Sequence, residues 1–141
     1  MSFAARYGQS GMTNITQSHI AKLATTMVPV SDQDQAIAFY TEKLGFEKRV
    51  DMPYGDGDRW VEVGPAGGEA TVALTAMRPE ATGWELGRQT GISFHSTDIH
   101  ADYEAFKTAG VDVDELNDFG APVPPMFWFR DQDGNSLLVV G

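Results

Sequence analysis

A few polar side chains of this sequence stand in or beside predicted strands, where a functional group could take part in chemistry. Glu62 lies between two valines, and it is either a surface carboxylate or a base that faces a cavity. His95 is the one histidine within a predicted core strand, and it is either hydrogen-bonded within the fold or an acid–base group. Arg59 and Arg130 flank strands, and each could bind a ligand carboxylate or pair with nearby Asp residues. Glu62, His95 and Arg130 are therefore the candidate catalytic residues.

Aromatic residues in two predicted strands offer a different chemistry, the stacking of a flat ligand. Trp60 lies in the first half of the chain, and Phe127, Trp128 and Phe129 follow one another in the second. Because successive strand residues point to opposite faces, Trp128 takes one face and the two phenylalanines take the other. One set should enter the core and the other should line a cavity. The alternative is that all these side chains fill the concavity and leave no pocket.

Alternation within the strand that contains His95 gives a further expectation. Counted from Ile92, Phe94 and Ser96 fall on the cavity face, and His95 falls on the opposite face, which a helix covers. Phe94 would then line the cavity together with Met27.

Composition excludes several classes of function. The chain has 141 residues, a formal net charge of −10 and no cysteine. This acidity argues against nucleic acid or an anionic membrane surface as a partner, since both require a basic face. The lack of cysteine excludes disulfides, thiolate metal sites and a cysteine nucleophile, and with no signal-peptide pattern the expected location is the cytoplasm.

One pattern occurs twice, and the second copy follows the first by roughly 66 residues. Each copy consists of a β run, a Ser/Thr-Asp helix start, a short amphipathic helix and further β structure. Asp32 and Asp98 are the predicted helix caps, and Gly45 and Gly110 are the predicted helix stops. The repetition predicts a sheet built from two related modules, with a pocket where they meet.

The expected organisation is one domain preceded by an extension. Residues 1–22 form the extension, and residues 23–141 form the domain. Module one covers about 23–77 and module two about 90–141, with a linker from Met77 to Arg88 that is rich in Gly and Pro. The segment from Asp51 to Asp58 is predicted as a loop from its Pro, Gly and Asp content.

Two stretches of the sequence carry a family resemblance. Val30-Ser31-Asp32 followed by the segment from Phe39 to Phe46 is similar to the first module of the vicinal oxygen chelate superfamily, which includes glyoxalase I, bleomycin-resistance proteins and extradiol dioxygenases. The turn Asp131-Gln132-Asp133-Gly134-Asn135 resembles the Asp-Pro-Asp-Gly-Asn turn of that family, with Gln132 in place of the usual Pro. The resemblance covers about Leu23 to Val140 and is specific for the fold, but says little about the reaction.

This resemblance implies an α+β fold of two paired βαβββ modules that curve a sheet around a cavity, with the helices on the outside. It also implies a homodimer whose partners share or complete the cavities. Metal-dependent members carry His or Glu at four positions, which correspond here to Thr25, Ala73, Ile92 and Leu138. None of these residues supplies an anionic or imidazole ligand, so we expect no metal centre and no cofactor.

The sequence favours a metal-independent binding protein of the glyoxalase/bleomycin resistance type, with a role in antibiotic resistance. Its partner would be an apolar or aromatic small molecule held in a dimeric cleft, with no nucleic acid or membrane involved. The expected ligand-binding residues are Thr25, Met27, Trp60, Phe94, Phe127, Trp128 and Phe129. Whether the protein is an enzyme stays open: one alternative is a superfamily lyase, isomerase or dioxygenase with a non-standard active site, and another is a structural or regulatory dimer with a filled cavity.

Overall fold

The computed structural model describes residues 17–78 and 83–141. This part of the chain contains eight strands and two helices, the first of which continues as a π-helix. In chain order the elements are β1 (Thr25–Val30), α1 (Gln33–Ala38), its π-helical continuation (Phe39–Lys43), β2 (Glu47–Tyr54), β3 (Asp58–Gly64), β4 (Thr71–Ala76), β5 (Gln89–His95), α2 (Ile99–Thr108), β6 (Asp112–Val113), β7 (Met126–Arg130) and β8 (Ser136–Val140).

The strands form two four-stranded sheets with the same topology. The first has the order β1-β4-β3-β2, and the second has the order β5-β8-β7-β6. In each sheet the first and last strands of the module pair in parallel and the other neighbours pair antiparallel. The chain is therefore two βαβββ modules, and the predicted α+β architecture is confirmed.

Matching local signals begin and end the helix of each module. The Asp32 carboxylate accepts a hydrogen bond from Gln35 N, and the Asp98 carboxylate accepts one from Ala101 N, so both satisfy a free amide of the first helical turn. Gly45 and Gly110 follow the helices with φ of 76° and 83°, a left-handed conformation that glycine adopts without strain. These are the caps and stops that the repeated pattern predicts.

Each sheet buries the face that its own helix covers. In the first module, Val28, Val61 and Leu74 pack with Ala36 and Tyr40 of the helix. In the second, the core contains residues of α2, β7 and β8, and its centre is aromatic, formed by Tyr103, Phe106, Phe127 and Phe129. The faces opposite the helices are called below the open face of the first sheet and the open face of the second sheet.

Polar side chains of the turn before β8 join the two modules. Tyr40 is fully buried, and its hydroxyl donates to Asp131 Oδ2 at 2.7 Å. Asn135 Nδ2 donates to the carbonyl oxygen of Pro29 at 3.0 Å, and Ser31 Oγ donates to Asp133 Oδ1 at 2.6 Å. An edge-to-face contact between Phe46 and Phe94, with ring centroids 5.1 Å apart, adds an apolar link.

One predicted loop differs from the structure. β2 continues to Tyr54, so the first half of the predicted loop from Asp51 to Asp58 is strand. Pro53 is accommodated because β2 lies at the edge of its sheet, where a missing amide donor costs no interstrand bond on the outer side.

Parts of the predicted extension and linker lie outside the described residues. These parts are residues 1–16 of the extension and 79–82 of the linker. Residues 17–24 contain no helix or strand. Within 17–78 and 83–141, no helix has the length and apolar character needed to cross a bilayer.

Candidate functional site

The open face of the first sheet carries a group of polar and aromatic side chains. Strand register places Trp60 opposite Met52 and places Glu62 opposite Ala73, and Ala73 in turn is aligned with Met27. Because residues aligned across neighbouring strands share a face, these side chains point away from α1. Met27 and Met52 are about half exposed, at 50% and 53%, so apolar side chains of this face are left uncovered by the described part of the chain.

A cavity of about 260 Å³ lies at one end of this face. Its apolar walls are Met27, Tyr54, Trp60 and Trp84. The rings of Tyr54 and Trp60 meet edge to face, with centroids 6.3 Å apart. This volume and lining suit the face of a flat organic molecule, which aromatic rings bind by stacking and by burial of apolar area.

The charged groups around this cavity are already paired. Arg59 donates to Asp51 through two bonds of 2.7 and 2.8 Å and to Asp34 at 2.7 Å. Hydrogen bonds from Arg59 and then Lys48 hold the pKa of the Asp51 carboxyl well below its usual range. Asp58 forms an ion pair with Arg78. Arg59 is therefore paired with Asp51 and Asp34, and pairing with nearby Asp residues is one of the two roles that the sequence left open for it.

Trp84 also borders a second cavity, of about 300 Å³, which Met27, Pro29, Arg88 and Asn135 help to line. It thus stands between the two cavities. Sequence reasoning missed Trp84 because it lies in the predicted linker. A tryptophan within a segment rich in Gly and Pro is the one signal that could have identified it.

The open face of the second sheet carries Trp128. Register aligns Trp128 with Leu138, and Leu138 with Ser93. Arg130 lies on the same face and donates to Asp112 at 2.9 Å and to Asp114 at 2.8 Å. These hydrogen bonds lower the pKa values of both carboxyl groups, and Arg130, like Arg59, is engaged by Asp neighbours.

Three of the predicted ligand-binding residues lie on the helix side of the second sheet, and none of them lines the 260 Å³ cavity. Phe127 and Phe129 are fully buried in the core of the second module, and Phe129 also borders a cavity of about 190 Å³. Their predicted role in ligand binding stays a prediction. Phe94 packs against the same core and against Phe46. The aromatic side of α2 attracts them, because Tyr103 and Phe106 present ring edges there.

The predicted facing of β5 is reversed. Ser96 Oγ donates to Asp102 Oδ2 of α2 at 2.5 Å, so Ser96 lies on the helix side, as does Phe94. His95 lies on the open face, where it borders a cavity of about 430 Å³ between β5 and the beginning of β4. Among the described residues, no tryptophan or tyrosine lines that cavity.

The predicted site residues therefore fall into three groups. Met27 and Trp60 line the 260 Å³ cavity, and Thr25 contacts Thr71 on the same sheet. Trp128 stands on the other sheet, and among the described residues none from β5, β7 or β8 lines that cavity. Phe94, Phe127 and Phe129 belong to the core. The candidate catalytic residues Glu62, His95 and Arg130 are divided between the two sheets.

The residues at the four inferred ligand positions do not fit a divalent cation. Thr25, Ala73 and Leu138 offer one hydroxyl and two hydrocarbon side chains, and Ile92 packs with the cores on the helix side. Within the described ranges, no three His, Cys, Asp or Glu side chains come together in a group that could hold a metal. Since a protein site for such an ion needs several anionic or imidazole ligands, we derive no chemistry through a metal.

Comparisons with known proteins agree with this architecture. A family model described as the glyoxalase/bleomycin resistance protein/dioxygenase superfamily matches residues 19–139. The uncharacterized protein YetH of Bacillus subtilis is 34% identical over 125 residues, which are 85% of this chain and 98% of YetH.

Two solved structures are also similar. A member of the same superfamily from Sphaerobacter thermophilus has a TM-score of 0.80 at 34% identity, and the match covers 86% of this chain and 97% of that one. TnmS3, an antibiotic binding protein from Streptomyces sp. CB03234, has a TM-score of 0.74 at 31% identity, with 88% and 98% covered. The chain therefore belongs to the glyoxalase/bleomycin resistance protein/dioxygenase superfamily.

Proposed function

We propose that this protein is a metal-independent small-molecule binding protein that holds an apolar or aromatic ligand in a cleft between two protomers. The observation that carries this proposal is the 260 Å³ cavity, whose apolar walls include two tryptophans and a tyrosine and whose charged neighbours are paired with one another. A ligand there gains stacking and apolar burial without having to separate an ion pair.

The dimeric part of the proposal rests on what the single chain leaves uncovered. The cavity takes its walls from the first sheet and from Trp84, while Trp128 stands on the open face of the second sheet. Two copies related by a twofold axis can place the open face of one protomer's second sheet against the other's first sheet. Trp128 of one copy would then complete the cleft of the other.

The similarity to TnmS3 supports a ligand of the antibiotic type. TnmS3 is described as an antibiotic binding protein, and at 31% identity over nearly its whole length it shares both the fold and the family of this chain. Tight capture of an aromatic antibiotic would lower its free concentration, which is a resistance function.

A series of three ring-matched probes tests the proposal. 1-Aminoanthracene is neutral, 9-aminoacridine is its cationic counterpart, and anthracene-9-carboxylate is anionic. We expect saturable binding of the neutral probe with quenching of tryptophan fluorescence, and loss of binding of about tenfold in Trp60→Ala. We expect the anionic probe to bind most weakly, because the chain carries a net charge of −10. Absence of saturable binding for all three probes would overturn the proposal.

A further inference from the structure

Trp60 does not hold its place in the cavity wall by packing alone. Its indole Nε1 donates to Glu62 Oε2 at 2.6 Å. The two residues are separated by one position in β3 and therefore project from the same face of the sheet. This bond fixes the edge of the indole ring along the strand.

The other carboxylate oxygen of Glu62 is fixed from neighbouring strands. Thr71 of β4 donates its hydroxyl to Glu62 Oε1 at 2.7 Å. Thr25 Oγ1 of β1 lies 2.8 Å from Thr71 Oγ1 and 3.1 Å from the carbonyl oxygen of Thr71, and its one hydroxyl hydrogen can be donated to either. Hydrogen bonds thus link Thr25 of β1 to Thr71 of β4, and Thr71 to the carboxylate that holds the indole of β3.

The charge on Glu62 strengthens this arrangement. Across residues 17–78 and 83–141, no basic nitrogen lies within 4.0 Å of its carboxylate, so the bonds it accepts come from neutral donors. Hydrogen bonds to an ionised acceptor are shorter and stronger than those between neutral groups. The half-buried carboxylate of Glu62 therefore binds the indole N–H more strongly than a neutral acceptor would.

We infer that Glu62 is a positioning residue for the binding site, which holds the Trp60 ring as a fixed wall and occupies the indole N–H. The ligand then meets the face of Trp60 and receives no hydrogen bond from it. Thr25, which stands at the first inferred metal position, supports this aromatic wall through Thr71. The part of the inference that concerns affinity rests on the proposed function, whereas the tether itself can be measured without a ligand.

The indole ¹H–¹⁵N resonance of Trp60 reports the tether directly. Trp60→Phe identifies the signal, and Glu62→Leu removes the acceptor while keeping a side chain of similar size. We expect the Trp60 signal to move toward the position of an indole exposed to water in Glu62→Leu, and to move less in Glu62→Gln, which retains an acceptor oxygen. Thr71→Val should shift the Trp60 signal less than Glu62→Leu does, because it removes only the donor to Glu62 Oε1 and leaves the bond from Trp60 to Oε2 in place. Glu47→Gln, at an exposed position of β2, is the matched control and should leave the signal unchanged.

Affinity for 1-aminoanthracene provides the second readout. We expect Glu62→Leu to weaken binding by roughly tenfold and Glu62→Gln by about threefold, in the same order as the resonance shifts. An unchanged Trp60 signal in a folded Glu62→Leu protein would overturn the tether, and an unchanged signal in Thr71→Val would overturn the support that Thr71 gives it. A shifted signal with unchanged affinity would overturn the positioning role. If the wild-type protein binds none of the probes, the proposed function fails, and the resonance experiment still decides the tether.

Discussion

The hydroxyl of Tyr40 in the first module lies 2.7 Å from Asp131 Oδ2 in the second, and both side chains are buried. Asp131 also accepts bonds from Asn135 Nδ2 and from the amides of Asp133 and Asn135, so its carboxylate is almost enclosed by donors. Such an arrangement ties the stability of the two modules together, because either partner without the other leaves a buried polar group short of a bond.

Removal of the Tyr40 hydroxyl should therefore destabilise the whole chain. We expect Tyr40→Phe to lower the free energy of unfolding by about 1–3 kcal/mol, since Asp131 loses one of its donors in a buried position. Urea unfolding followed by circular dichroism measures the change. Tyr54→Phe makes the same chemical change at a half-exposed position and should cost little. Equal losses in the two variants would contradict the role given to the buried bond.

Alkaline conditions should weaken the protein through the same tyrosine. Burial, and then the negative charge of Asp131, raises the pKa of Tyr40 well above its ordinary value. In the unfolded chain this tyrosine loses its proton near pH 10, whereas in the folded chain it keeps it. The unfolded state then binds fewer protons, so the stability present below about pH 10 falls as the pH rises above it.

The pH dependence is best measured as a difference between two proteins. We expect the free energy of unfolding of the wild type to fall above about pH 10 more steeply than that of Tyr40→Phe, so that the two curves converge. Parallel curves from pH 8 to 11 would show that another group causes the alkaline loss.

Substitutions in β7 should separate core residues from cleft residues. Phe129 is fully buried, so Phe129→Ala should lower the free energy of unfolding by about 3–5 kcal/mol. Trp128, the next residue along the strand, points to the open face, and Trp128→Ala should cost much less stability while weakening probe binding. Thermal unfolding and titration with 1-aminoanthracene distinguish the two. The reverse order of stability losses would mean that the facing of β7 is wrong.

A mixing experiment tests whether the cleft is shared between protomers. At a probe concentration near the wild-type Kd, Trp60→Ala and Trp128→Ala should each lose most of the bound probe as a pure protein. In a mixed dimer of the two variants, one cleft combines both substitutions and the other has neither. After unfolding and joint refolding of equal amounts, we expect about one quarter of the wild-type binding capacity to return. If each cleft belongs to a single protomer, no capacity returns on mixing.

The sequence was sufficient for the architecture because its local signals agree with one another. Asp32, Gly45, Asp98 and Gly110 mark the helix ends independently of any long-range contact, and the repeated order of elements indicated two modules. The period of β7 was also correct, in that Trp128 and its phenylalanine neighbours lie on opposite faces.

The choice between the two faces could not be made from the sequence. Phe127 and Trp128 are both suited to a core or to a cavity, and the outcome depends on Tyr103 and Phe106 of a helix that precedes them in the chain. In β5 the predicted alternation was correct, but the face assigned to Ile92 was not, because Ile92 packs with the cores on the helix side. A periodic pattern shows which residues share a face, but it does not show which of the two faces a helix covers.

The site itself depended still more on contacts between distant residues. Met27 and Trp60 were predicted as cavity residues because they are large apolar side chains in predicted strands. Trp84 lies in the linker, and it reaches the cavity only because of the path that the linker takes. The bonds from Thr71 to Glu62 and from Tyr40 to Asp131 each join segments that the sequence pattern treats separately.

The bonds from the turn before β8 to the first module have a consequence for synthesis on the ribosome. The segment containing Tyr40 emerges long before Asp131, so in the nascent chain its hydroxyl has only water as a partner. The same holds for the carbonyl oxygen of Pro29, which accepts its hydrogen bond from the later residue Asn135. The first half of the polypeptide consequently reaches its final packing only after Asp131 and Asn135 have left the ribosome, and a ribosome that stalls earlier holds a chain whose first module lacks these bonds.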